Sequence, residues 1–463
     1  MHKRLVLPSI LALSAATLVV AGCSSGGSIS GLSSAKTGTS FVVGTDAPMD
    51  AVTSFSVQVQ SITATDANGN SVQLISGSPT VDFARFNGLQ TLLSMNNVPE
   101  GTYTNVTITL GAATLGYLDT SGTGAPTIQT MPATLTSNTI NVTLSNPLIV
   151  ANAAAPVGLH VDFNLRKSIQ VDSTGQITGQ VTPTFKVGTV GTDDAGAHID
   201  EYTAAVVSVD AGSQTFVLQG PHGGQITVAV TGQTEWDGNA TLNDLTTSSI
   251  VQVSGKLDKT TGDLDADEVE ILSQQGFYAS GQVTYVTPAS GAATSFDMYV
   301  RGLLPTTTGL TLGQIAQVNL TGNENFSIYW LHDELTQFLF NSSLMLPGQD
   351  VAVGGPASGA AAPTNVTVNR VVLRNWGFNG TVVPGSVNTS NNTFQMQVNG
   401  FAGILIPETV TVYIAGETEY RDGLADLGGL DTTTNVRVVG VLLKDPTTGG
   451  AILVAHYVDS QDN

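Results

Sequence analysis

His160 and Asp162 sit one residue apart in Leu159-His160-Val161-Asp162-Phe163, so strand alternation would put both side chains on one face and the apolar residues on the other. Such a pair can hydrogen-bond, orient a ligand or share a metal ion. It can equally be a polar pair facing water, and that is the reading preferred here. Asp46 and Asp50 flank Pro48 and offer the carboxylate oxygens that calcium takes, or cap a turn by accepting backbone N–H bonds. Asp263, Asp265 and Asp267 have the spacing that opens a calcium-binding EF-hand loop, but Glu268 stands where that loop requires glycine. Val269 and Ile271 continue in strand alternation, so the expectation is a hairpin turn with its charges in water. Phe326, Tyr329, Trp330, Phe338 and Phe340 gather around His332, Asp333 and Glu334. Aromatic faces stack on the apolar faces of sugars while nearby polar groups take the hydroxyls, and Tyr329, Trp330, His332 and Asp333 would make those contacts. The competing use of the cluster is core filling.

Catalytic and nucleotide-binding signatures are absent: there is no G-x-S-x-G, no H-E-x-x-H and no phosphate-binding G-x-x-x-x-G-K-[ST]. Beyond the first residues the histidines are His160, His198, His222, His332 and His456, with no two at a metal-ligand spacing such as i, i+4. Cys23 is the one cysteine in 463 residues, so no intrachain disulfide, cysteine–metal cluster or second thiol is available. No cofactor and no resident metal are expected. The chain carries 15 Lys+Arg against 36 Asp+Glu, a net charge of −21. Without a clustered basic footprint, nucleic acid is excluded as a partner.

The amino terminus sets an address. Lys3 and Arg4 precede an apolar stretch from Leu5 to Val20 that is broken by Pro8, Ser9, Ser14 and Thr17. It is too short and too interrupted to span a bilayer as a helix and reads as an export signal. The stretch ends in Val20-Ala21-Gly22-Cys23, which resembles the lipobox of bacterial lipoproteins. The resemblance implies cleavage before Cys23, a diacylglycerol on its thiol and an acylated new amino terminus; two or three acyl chains anchor stably. Ser24 is not the aspartate that commonly retains such proteins in the inner membrane, so an outer-membrane destination is expected. The Ser/Gly-rich residues 23–38 would span about 20 Å as a flexible tether.

After the tether, short segments alternate apolar and polar: Phe55, Val57, Val59; Val106, Ile108, Leu110; Leu159, Val161, Phe163, Leu165. This period of two predicts half-buried strands, and Asn68-Gly69, Pro99-Glu100-Gly101 and Ser173-Thr174-Gly175 predict turns between them. Leu89, Leu92 and Leu93 have helical spacing and predict a short helix over 89–96. The class is all-β: an antiparallel sandwich, immunoglobulin-like or transthyretin-like, over 39–190, followed by tandem small β-barrel-like modules.

The modules are visible as repetition. Thr234-Glu235-Trp236-Asp237-Gly238 followed by Val251-Gln252-Val253-Ser254-Gly255 recurs as Thr418-Glu419-Tyr420-Arg421-Asp422-Gly423 followed by Val436-Arg437-Val438-Val439-Gly440. Asp350-Val351-Ala352-Val353-Gly354-Gly355 occupies the late strand of a longer middle copy. The shared aromatics Trp236 and Tyr420 are expected to cover a barrel end rather than to stack on ligand. Boundaries follow: signal 1–22, tether 23–38, sandwich 39–190, modules 200–275, 276–375 (with the aromatic insertion) and 376–460.

Val42-Val43-Gly44-Thr45-Asp46-Ala47-Pro48-Met49-Asp50, Val98 to Val106 and Val161 to Ser168 resemble DUF family 4382, a bacterial lipoprotein domain. The V-x-V-x-G modules resemble DUF family 5666. Neither resemblance implies an active site. The expectation is a non-enzymatic cell-envelope lipoprotein acting as a binding or structural scaffold. The membrane is its partner through the lipid, and a glycan or an envelope protein is the further partner considered. The rivals are a carbohydrate-binding or adhesive surface protein, and a hydrolase whose carboxylates are dispersed in sequence.

Overall fold

In a computed structural model of the chain, the described residues are 36–460 apart from 48–51, 87–88, 120–126, 153, 174–176, 221–224, 237–239, 275, 305–309, 330–338, 357–364, 400–405, 407–408, 422 and 433. Nearly every element among them is a β-strand, with one α-turn at Leu165–Ser168 and a few short 3-10 segments.

The amino-terminal part is a sandwich. One sheet orders Phe185–Gly191, Val157–Asn164, Thr37–Ala47 and Thr91–Pro99. The other is built on the long pair Val52–Asp66 and Gly101–Asp119, with six shorter strands around it. Phe55, Val57 and Val59 point inward as their alternation predicts. Phe163 lies edge-on to Phe55 and Phe83, with centroids 5.1 and 5.0 Å away, and stacks on Phe185 at 4.4 Å, arrangements that suit the quadrupoles of the rings.

Two expectations fail here. The sandwich is not purely antiparallel: Thr37–Ala47 runs parallel to Val157–Asn164, from Ser40 opposite Val157 to Ala47 opposite Asn164. A parallel pair needs a long crossover, and most of the second sheet lies in the chain between these strands. The helix expected over 89–96 is a strand, Thr91–Pro99, paired antiparallel with Thr37–Ala47 through a bulge at Val42/Val43. Leu92 and Leu89 are buried, so a free sheet edge and an apolar neighbour override the local spacing.

Three barrel-like units of related strand order follow, a first of six strands, a middle one of seven and a last that is a closed five-stranded barrel. In the first, Thr215–Gln219, Ile199–Asp210, Ile250–Leu257 and Leu264–Ser273 pair in series, and Gln225–Ala229 closes the ring by running parallel to Leu264–Ser273. The last repeats it: Trp376–Val382, Thr393–Val398, Thr409–Arg421, Ala451–Ser460 and Asn435–Lys444 form a closed barrel whose parallel seam joins Thr409–Arg421 to Ala451–Ser460. In the middle copy Ile315–Asn319 pairs parallel with Asn365–Thr367, which continues along the chain into Arg370–Leu373. Asp350–Gly355 pairs with Phe277–Thr287 and Arg370–Leu373, as Ile250–Leu257 pairs with its two neighbours in the first copy.

Strand pairing stays within each unit, but the cores do not. Phe41, Val43 and Leu92 of the sandwich belong to the core of the first barrel. Val441, Leu443 and Val454 of the last barrel belong to the core of the middle one. Ile250 and Leu272 pack with Tyr278, Tyr329, Ala352 and Val372 across the first-to-middle boundary, and Leu89 packs on Val439 and Tyr457. Strands such as Phe277–Thr287 and Asp350–Gly355 are therefore buried on both faces, and Lys36–Asn463 forms one compact unit.

Candidate functional site

The residues singled out in the sequence do not converge. Tyr329 is 1% exposed in the packing between the first and middle barrels, and its hydroxyl lies 2.7 Å from Ser254 Oγ. Its ring is not available as a sugar platform; it fills a core. Trp330, His332 and Asp333 lie outside the described residues, as do Asp50 and Cys23. Asp46 pairs in register with Phe163 next to the end of its strand.

His160 and Asp162 do share a face of Val157–Asn164, opposite Leu159, Val161 and Phe163. That face is half-buried rather than open to water, because the sheet is covered on both sides. Burial lowers the His160 pKa, with Asp162 opposing it and Lys186 adding to it.

Asp263 closes a hairpin: Asp258 Oδ1 accepts the N–H groups of Thr260 and Thr261, and the Asp263 N–H donates to Thr261 Oγ1. Asp265 and Asp267 follow on the exposed face of Leu264–Ser273. Among the described residues no three His, Cys, Asp or Glu side chains form a group able to hold a metal ion.

Two residues that the sequence reading passed over stand where the four units meet. Arg301, on Ser295–Leu304, is 6% exposed. Its Nη1 donates to the Thr53 carbonyl at 2.8 Å and lies 3.4 Å from that of Ala84. Its guanidinium packs over the rings of Tyr299 and Trp376, 5.0 and 4.8 Å from their centroids, a cation–π arrangement. One side chain thus touches the sandwich, the middle barrel and the last barrel. Arg374 supplies the remaining connection: its Nη2 pairs with Glu201 of the first barrel, and its Nη1 lies 3.4 Å from the Tyr278 hydroxyl and 3.6 Å from Asp350 Oδ1.

The electrostatics of this junction follow from burial. Burial and the nearby charge of Arg85 bring the Arg374 pKa down to about 9, still charged at neutral pH. Burial pushes the Asp350 carboxyl well up, against the opposing charges of Arg301 and Arg85. Burial also raises Asp82, opposed by Arg301 and by the Phe55 N–H that donates to it at 2.8 Å. Burial thus works against the charged form of both acids, and the neighbouring guanidiniums work for it.

A cavity of about 340 Å³ opens beside these groups. Asp82, Arg85 and Phe86 of the sandwich form one wall, Glu201, Tyr202 and Thr203 of the first barrel another, and Arg301 of the middle barrel a third. Ser54, Ser56, Thr80, Thr91, Thr114 and Thr130 line it as well. Burial pushes the Tyr202 phenol up to about 12. Arg85 ends the 3-10 turn Phe83–Arg85, and its charge acts on Asp82 and Asp350. This arrangement can hold a small polar molecule; it offers donors, acceptors and a cation.

A second polar cluster seals another boundary. His198 is held between Asp200 at 3.2 Å from Nδ1 and Asp267 at 3.3 Å from Nε2. Burial works against the charged ring, but the bonds to Asp200 and Asp267 outweigh it and raise the pKa to about 9. Asp200 Oδ2 accepts the Gln90 N–H of the sandwich at 2.7 Å, and Arg421 of the last barrel, stacked 3.7 Å over the Tyr457 ring, adds its charge to the same group.

The sequence carried a usable signal for the buried arginines. Arg301 interrupts an apolar strand in Tyr299-Val300-Arg301, and Arg374 directly follows the apolar run Val371-Val372-Leu373; a charge so placed must find a partner inside.

Residues 37–180 match a family described as a domain of unknown function (DUF4382), in agreement with the resemblance read from the opening strands. The match covers the sandwich up to the strand Ile177–Val181 and none of the barrels. No curated protein matches the chain.

Proposed function

We propose that this protein is a lipoprotein of the bacterial cell envelope, held through Cys23 and bound for the outer membrane, that acts without catalysis as a rigid binding scaffold. Its three barrels are repeats of the kind found in DUF family 5666. The observation that carries the reading is the junction. Arg301 and Arg374 tie the sandwich and all three barrels together with buried contacts, and a lined cavity lies beside them. Fixed geometry around a polar pocket suits recognition. The carbohydrate-binding reading moves with it: the hydroxyl-lined cavity supports it, not the buried ring of Tyr329.

Anchoring is tested by replacing Cys23 with serine. The expected outcome is loss of metabolic lipid labelling and release from the membrane fraction. Undiminished labelling and retention in the variant would sink the assignment.

A further inference from the structure

Resting on the reading of the junction as a binding site, we infer that its cavity takes a hydroxyl-bearing carboxylate of monosaccharide size, a hexuronate, with the carboxylate on Arg85 and the hydroxyls on the surrounding Ser, Thr and acidic side chains.

Size comes first. About 340 Å³ stands at the small end of the roughly 300–1,000 Å³ range of ligand pockets. Charge comes next. Arg85 lines the cavity and its charge acts on Asp82 beside it, while Arg301 is spent on carbonyls and rings. A planar fork of donors matches a carboxylate in two parallel bonds.

The hydroxyl lining narrows the class further. Ser and Thr both donate and accept, which complements a polyol and does little for a bare anion. Asp82 and Glu201 on the walls accept from the several hydroxyls that a sugar acid carries, whereas phosphate favours nests of backbone N–H groups. Phe86, Leu92 and Leu93 offer apolar surface to the C–H face of a sugar ring. Leu312 on the lining is 52% exposed and marks the mouth.

Isothermal titration of the full-length chain in detergent with glucuronate, glucose and inorganic phosphate tests this. The expected result is saturable glucuronate binding with submillimolar Kd, with glucose and phosphate each at least about tenfold weaker. Arg85→Gln should weaken glucuronate at least about tenfold with the melting temperature unchanged. If that variant does not fold, Leu312→Asp at the exposed mouth should weaken glucuronate by charge repulsion instead.

Phosphate binding as well as glucuronate, glucose binding as well as glucuronate, or no saturation by about 10 mM would each overturn the inference, as would full affinity in a folded Arg85→Gln. If glucuronate fails while membrane retention still depends on Cys23, the ligand falls and the envelope scaffold stands. If glucuronate binds while retention ignores Cys23, the reverse holds.

Discussion

At the scale of single residues, rare charges within or beside apolar strands do the joining. Arg301 and Arg374 replace water with carbonyls, rings, a carboxylate and a phenol, and removing one partner of such a buried pair costs about 3–5 kcal/mol because the other is left uncompensated. Their burial could be anticipated from their apolar neighbours; their partners could not, since Thr53 and Glu201 lie far away in the chain and no local pattern encodes the match. His198 is the same case with a titration attached. Its pKa rises from 6.5 to about 9 in the folded chain because Asp200 and Asp267 outweigh burial. The folded state therefore binds the proton more tightly than the unfolded state. The stabilisation is complete below pH 6.5 and is lost as pH climbs through 9. The shift corresponds to at most about 3 kcal/mol, reduced by water around the exposed Asp267. Urea unfolding between pH 6.5 and 9, below the range where tyrosines ionise, should show stability falling with pH in the wild type and a shallower fall in His198→Gln. Equal slopes would remove His198 from the account.

At the scale of elements, the motifs read from the sequence turn out to have mechanical reasons. The glycine that ends V-x-V-x-G sits where a neighbouring strand's carbonyl leaves no room. A Cβ on Gly255 would lie 2.0 Å from the Asp265 oxygen, one on Gly440 2.0 Å from the Val454 oxygen, and one on Gly355 2.7 Å from the Thr367 oxygen. In the first and last barrels the register also shifts at that glycine, a bulge that bends the strand around the barrel. The threonine of the Thr-Glu-aromatic motif is a clamp. Thr234 donates to the Ala266 carbonyl at 2.8 Å and Thr418 to that of Ala455 at 2.7 Å, fixing the parallel seam. Trp236 and Tyr420 then fall opposite Val269 and Val458 on equivalent strands and pack against the edges of their cores. Strands and turns were legible because alternation and Asn-Gly type signals are local. The parallel seams, and the strand at 91–99 that helical spacing disguised, were not, because only the partner strand decides them. Gly440→Ala should destabilise the protein by about 1–3 kcal/mol or more, read as a lower urea midpoint, while Gly232→Ala, where a Cβ meets nothing within 4 Å and the backbone is not left-handed, should be neutral or stabilise by up to about 1 kcal/mol. Equal effects would mean that the carbonyl contact is not what selects glycine.

At the scale of the whole molecule, the repeats suggest separable modules and the packing says otherwise. A barrel of this size alone would bury only about 60% of its unfolded surface, and here each borrows apolar contacts from a neighbour: Phe41 and Val43 complete the first barrel, while Val441, Leu443 and Val454 complete the middle one. Sequence repetition records strand order, which each copy keeps, and is silent on which outward-facing valines find a neighbouring core. The central claim, a single rigid scaffold fastened at its junctions, is tested most directly by native-state hydrogen exchange of the full chain in graded urea, followed by mass spectrometry. The account predicts that peptides from Val52–Asp66, Ile250–Leu257, Asp350–Gly355 and Asn435–Lys444 lose protection together, with one common free energy of opening. Early exposure of Asn435–Lys444 while Val52–Asp66 stays protected would contradict it and return the barrels to independent modules.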